Sequence, residues 1–210
     1  PYTTLFRSVV LIQGMLIHII AGSIRVRWGV PAFVVTLALF ISLRGAARLI
    51  TNAYPITPFP DYFNFIGGGF VLQGLPFLER GIPVPVVIML ATFVVFYFIS
   101  TRTVYGRSVY SVGGNEEAAR LSGVPVGRTR IMTFAITGFL AAACGVLISS
   151  RIMSGASNIA EGLEFEVIAA VIIGGTSLAG GSGSIIGTFL GVLFIGLLSN
   201  GMVLLGIPSF

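Results

Sequence analysis

The sequence has no lysine, one histidine and one cysteine in 210 residues, and only 9% of its residues are charged. Each shortage excludes something. Without Lys there is no GxxxxGK[ST] loop, whose Lys reaches the phosphates of bound nucleotide. ATP hydrolysis by that route would have to come from a partner. A lone Cys144 makes no internal disulfide and no CxxC redox or metal pair. A lone His18 rules out chemistry that needs two imidazoles. Soluble domains carry about 25% charged residues, so this chain has too little charge to cover a water-facing surface. A soluble enzyme, a disordered tail and a nucleic-acid binder are poor fits.

What is present is apolar: 55% of the residues are hydrophobic and the mean hydropathy is +1.01. Uncharged runs cover 8–24, 28–43, 81–101, 131–150 and 167–210, which are 17, 16, 21, 20 and 44 residues long. A spanning helix takes about 20 residues, with a range of about 17–25. Flanking Arg side chains can snorkel and lengthen the first two runs, and the last is long enough for two passes. The expected fold is an all-α, polytopic helical membrane protein with about six spanning segments plus a re-entrant or broken helix.

Glycine and proline place the breaks. Gly174-Gly175 and the 180–184 run interrupt the last stretch. This predicts a helix over 164–179, a glycine turn and a helix over 185–205. Gly183, Gly187 and Gly191 recur every four residues, a small-residue face suited to close helix packing in lipid. Between 51 and 85 lie Pro55, Pro58, Pro60, Pro76, Pro83 and Pro85 among dense aromatics. That density forbids a continuous helix. An interfacial loop with a short re-entrant or amphipathic piece over 64–78 is expected.

The twelve Arg residues are scattered between apolar runs, as topology signals are, and form no phosphate-binding block. Arg102, Arg107, Arg120, Arg128 and Arg130 make 102–130 the most basic polar stretch, which places it in the cytoplasm. Segments 51–82 and 151–165 then lie outside. Arg44 and Arg48, near the outer end of their helix, run against the rule.

Residues 112–125 hold the most informative pattern. Asn115 is a good N-cap. Glu116 and Glu117 sit at the positive end of the helix dipole. Arg120 follows Glu116 by four residues, a favourable order. Gly123 suits the position just past the helix end, and Pro125 stops it. A two-turn helix is too short to hold alone in water, so it packs on something. Ala118, Ala119 and Leu121 offer a small docking surface. The sequence fits a helix for a groove on a cytoplasmic partner and equally a loop helix lying on its own bundle.

The stretch GGNEEAARLSG at 113–123 resembles the cytoplasmic coupling segment of ABC importer permeases of the ribose/xylose/galactose type, within the superfamily that includes the branched-chain amino acid permeases. EFEVIAAVIIGGTSLAGGSGS at 164–184 is similar to that family's other hallmark, as are GTFLG at 187–191, VPAFVVTL at 30–37 and Arg44-Gly45. The resemblance covers about 10–210. It implies a multi-pass protein of the bacterial inner membrane that pairs with a second permease copy. It also implies an ABC ATPase subunit, which holds ATP and Mg, and a periplasmic sugar-binding protein. This chain would carry no cofactor, metal or catalytic residue. By the resemblance Gly114, Asn115, Glu116, Glu117, Ala118, Ala119, Arg120, Leu121, Ser122 and Gly123 transmit ATPase closure to the membrane helices. Family members are longer, so 9–210 is expected to be one incomplete permease domain with a coupling loop at 102–130, and 1–8 a non-native leader.

The cargo stays open among monosaccharides, sugar derivatives, nucleosides and branched-chain amino acids. The GGTSLAGGSGS form leans toward sugars. Phe63, Asn64, Phe65, Gln73 and Asn200 are candidates for a sugar path. Glu161, Glu164 and Glu166 read as dipole caps at a helix start, with Arg151 available to pair with one. His18 is an ionisable group at membrane depth, expected to be neutral and bonded to a neighbouring helix. Two other classes compete with this reading. A secondary transporter would place ionisable groups at the midplane, where only His18 qualifies. An intramembrane serine protease would use Ser182 of the GGSG run with His18 as base.

Overall fold

The computed structural model describes residues 2–72 and 81–206. In chain order the helices are α1 (Tyr2–Trp28), α2 (Ala32–Thr51), α3 (Asn64–Gly68), α4 (Val84–Arg102), α5 (Val104–Gly114), α6 (Glu116–Leu121), α7 (Val126–Ile152), α8 (Leu163–Ile173) and α9 (Ile185–Leu204). A single 3-10 turn, Asp61–Phe63, precedes α3. Two-residue strands β1 (Phe70–Val71) and β2 (Ile82–Pro83) pair antiparallel, Phe70 opposite Pro83 and Val71 opposite Ile82. The chain is thus a polytopic helical membrane protein.

Five of these helices, α1, α2, α4, α7 and α9, are long and apolar enough to cross a bilayer. Their apolar side chains are mostly exposed, as in Phe33 at 70% and Leu49 at 80%. Such surfaces suit lipid or other membrane helices rather than water. The segment expected as a helix over 164–179 is shorter. It is α8, which stops at Ile173 because Gly174 and Gly175 (φ +83°) break the backbone. At 1.5 Å per residue α8 is about 16 Å long, half of what a span needs.

The described chain forms two compact units: one comprises residues 1–91 and 127–157, the other residues 92–126 and 158–210. In the first, α1 crosses α7 at glycines. A Cβ on Gly14 would lie 2.6 Å from the Ala142 Cβ, and one on Gly138 would overlap the Gly14 carbonyl oxygen. Gly22 meets Phe134 in the same way. Small residues at the crossing let the backbones approach until dispersion contacts hold the pair. α1 turns into α2 at Gly29 (φ +65°), where Arg25 Nη1 donates to Val30 O at 2.6 Å.

α1 runs unbroken through residues 2–8, and both Phe6 and Arg7 pack on Phe63. The proline-rich loop is held at Phe63, which is 2% exposed and lies against Phe59 at 5.1 Å between centroids. Ile56 and Gly155 form an antiparallel bridge. Of the piece expected over 64–78, the described residues form the single turn α3 and then β1. Its further part, including Gln73, falls outside the described residues.

In the second unit α8 and α9 fold back on each other. A Cβ on Gly187 would overlap the Gly174 carbonyl oxygen, and one on Gly191 would overlap that of Ala170. Gly183 differs from these two: its missing Cβ faces Thr176 in the turn rather than a facing helix. Phe93 of α4 packs on Phe189 of α9 at 4.6 Å.

Candidate functional site

The chain turns sharply from α4 into α5 at Thr103. The Thr103 Oγ1 accepts the Gly106 N–H at 3.1 Å and donates to Ile99 O at 2.6 Å. Gly106 is required there, since a Cβ would overlap the Ile99 and Ser100 carbonyl oxygens. The sequence pattern missed α5. The signal available was Thr103 three residues before Gly106, an N-cap pattern ahead of Val104 and Tyr105.

Asn115 is the elbow between α5 and α6. Its backbone is extended (φ −151°, ψ 108°), which ends one helix and starts the next. Its N–H closes α5 onto Ser111 O at 3.1 Å, while its Oδ1 accepts the Ala118 N–H of α6 at 2.9 Å. A side-chain N-cap is worth about 1 kcal/mol, which matters for a helix of six residues.

Glu116 and Glu117 occupy the first turn, and Arg120 Nη2 donates to Glu116 Oε1 at 3.3 Å. Both side chains are solvated, so the pair adds about 0.3–0.5 kcal/mol. The far end closes as a Schellman motif. Val124 N–H donates to Ala119 O and Gly123 N–H to Arg120 O, both at 3.0 Å, with Gly123 at φ +80°. α6 is therefore capped at both ends by its own residues.

The docking surface expected from Ala118, Ala119 and Leu121 loses Ala119. Ala119 is 4% exposed and faces inward, whereas Leu121 is 85% exposed. The surface available to a partner is Glu117, Ala118 and Leu121, with Ser122 beside them.

The α5 side of the elbow rests on the glycine turn between α8 and α9. Tyr110 Oη donates to Gly183 O at 3.1 Å. A Cβ on Gly113 would come 2.6 Å from Gly181 N, and one on Gly181 would come 2.5 Å from Gly114 Cα. Gly180 (φ +96°) and Gly181 (φ +74°) hold left-handed backbone that only glycine adopts readily. The turn is closed by Ser177 N–H to Ser182 O at 3.0 Å. Ser184 caps α9, its Oγ accepting the Gly187 N–H at 2.9 Å. The blocks at 113–123 and 164–184, read separately in the sequence, thus meet backbone to backbone.

The remaining candidates fall elsewhere. His18 Nδ1 bonds Gly14 O of its own helix at 3.0 Å, and its ring packs on Gly138 rather than bonding a neighbouring helix. Phe63 is buried in the core, while Phe65 is exposed. Glu164 and Glu166 lie in the first turn of α8 behind Gly162 (φ +87°), and Arg151 has no ion-pair partner among the described residues.

Residues 5–209 match the family described as branched-chain amino acid transport system / permease component. The chain belongs to this permease family. A probable ABC transporter permease protein, YphD of Escherichia coli K12, is 49% identical over 185 residues, covering 87% of this chain and 53% of the relative. The ribose import permease protein RbsC of Haemophilus influenzae is 41% identical over 206 residues, 96% of this chain and 61% of its own. The xylose transport system permease protein XylH of the same organism is 32% identical, over 86% and 62%. The permease chain therefore spans between about half and three fifths of the length of the curated relatives it matches. No solved structure matches it.

Proposed function

We propose that the chain is the membrane-spanning part of an ABC importer permease that carries a monosaccharide across the bacterial inner membrane by alternating access. An ABC ATPase subunit, binding ATP and Mg, supplies the energy. A periplasmic sugar-binding protein delivers cargo, and a second permease copy completes the pathway. The chain is a transport component rather than an enzyme.

The observation that carries this reading is α6. A six-residue helix has no business being stable in water, yet this one is capped at both ends and presents an 85%-exposed Leu121 beside Glu117. A rigid knob with one apolar side chain suits a groove on a folded partner. The five Arg residues of 102–130 support a cytoplasmic position for that knob, on the side where an ATPase would work. The sugar assignment draws on relatives described as ribose and xylose permeases. Branched-chain amino acids, named in the family description, are the second cargo class.

Purification of the full-length permease from its native membrane in mild detergent tests the partnership. A P-loop ATPase should co-purify in stoichiometric amount and be lost with Glu117→Arg. Recovery of the folded permease alone would sink the importer reading.

A further inference from the structure

We propose that Tyr110 and Gly113 are the positioning residues that hand motion of the α5–α6 elbow to the broken α8–α9 pair, through direct contact with the 180–183 glycine turn. The proposal rests on the docking reading of α6 and adds the route by which docking reaches the membrane helices.

The contact is stiff for a physical reason. Side chains yield by changing rotamer, at little cost. Here the facing surfaces are main chain: Gly113 against Gly180 and Gly181, and Gly181 against Gly114. Glycine on both sides leaves no rotamer to absorb a displacement. Packed main chain is incompressible on this scale, so a push at one surface moves the other.

Glycine contact alone only pushes. The Tyr110 hydroxyl, bonded to Gly183 O at 3.1 Å, adds a tether that can pull. Asn115 makes the elbow a single lever, because one residue bonds α5 through its N–H and α6 through its Oδ1. At the receiving end Ser184 fixes the turn to α9, and Gly174–Gly187 and Ala170–Gly191 fix α9 to α8. An unbroken series of caps and backbone contacts thus runs from α6 to both halves of the broken pair.

The test uses full-length permease assembled with its ATPase in proteoliposomes, with its native thiols, Cys144 among them, replaced. Two positions receive a thiol probe in separate preparations: Ser111→Cys, on the exposed side of α5, and Leu178→Cys, in the glycine turn and 78% exposed. Labelling rate by a water-soluble maleimide is measured without nucleotide and with ATP plus vanadate. No cargo is needed. Both probes should respond to nucleotide in the parent. Tyr110→Phe should keep the response at 111 and reduce that at 178 about fivefold, the scale of one lost hydrogen bond; Gly113→Ala, whose Cβ would come 2.6 Å from Gly181 N and force the surfaces apart, should likewise spare 111 and lower 178.

A purely structural role for Tyr110 would change labelling at both positions together, or at neither. Retention of the 178 response in both variants, or its absence in the parent while 111 responds, overturns the proposal and leaves the docking reading standing. Absence of any response at 111, with ATPase bound, removes the docking reading itself.

Discussion

The Ser150 hydroxyl accepts the backbone N–H of Gly67 at 2.8 Å, joining the end of α7 to α3 across 83 residues of sequence. The same hydroxyl donates to the Phe63 carbonyl. Ser150 is fully buried, and a Cβ on Gly67 would overlap the Arg151 backbone nitrogen. One side chain therefore satisfies two main-chain groups of the proline-rich loop that have no water to turn to.

Ser150→Ala strands both groups, and should destabilise the full-length protein by about 1–3 kcal/mol. Ser150→Thr keeps the hydroxyl but adds a methyl to a filled site, and should recover only part of the loss. Thermal unfolding in detergent measures both. A loss from Ser150→Ala below about 0.5 kcal/mol would mean the loop is held by something else.

The α1–α7 crossing makes a steric prediction. Gly138→Val would drive side-chain atoms into the Gly14 carbonyl and the His18 ring. The expected cost is about 1–3 kcal/mol or complete failure to accumulate. Gly145, with open space beyond its Cα, serves as the control: Gly145→Ala on the same helix should be silent. Expression level and melting temperature of the two variants decide it.

His18 lends itself to a functional check. Its hydrogen bond is local and its contact is packing. His18→Asn, of smaller volume and neutral, should retain at least half of parental uptake and show no new pH dependence. Loss of uptake with normal ATPase association would make His18 a functional group rather than a packing one.

The caps of α6 can be weighed separately from the core. Asn115→Ala should destabilise the local turn by about 1 kcal/mol. Gly123→Ala places a side chain at φ +80° and should cost about 1–2 kcal/mol. Hydrogen exchange of the 116–122 amides should accelerate in both, with the melting temperature unchanged. A global fall in stability would show that α6 is part of the folding core and no appended lever.

Much of α6 was legible because its signals are local. A cap, a dipole and a glycine past the end act within eight residues, and the chain obeyed each. The inward turn of Ala119 was not legible. Alanine is too small to declare a face, and which side of a six-residue helix is buried depends on where α5 points. Long apolar runs marked the spanning helices for a similar reason: bilayer thickness sets their length. α8 escaped that logic, since Gly174-Gly175 ended it six residues earlier than its hydrophobicity suggested.

The Tyr110–Gly183 and Gly113–Gly181 contacts were out of reach of pattern reading. They join segments about seventy residues apart, and glycine carries no label for its partner. The Gly183/Gly187/Gly191 spacing did mark a small-residue stripe, although only Gly187 and Gly191 face α8. Phe63 illustrates the opposite failure. An aromatic among prolines reads as interfacial, yet among the described residues it is the most buried aromatic of the loop because Phe59, Phe6 and Arg7 close over it.

The shortness of α8 has an electrical side. Its 11 residues cover about 16 Å of a hydrocarbon layer about 30 Å thick. The peptide dipoles flanking it, over 153–162 and 174–184, are not consumed by helix bonding along their whole length. Oriented carbonyl and amide groups make the medium around them far more polarisable than lipid. A polar group beside them would trade water for main chain instead of for hydrocarbon, and would pay correspondingly less to leave water.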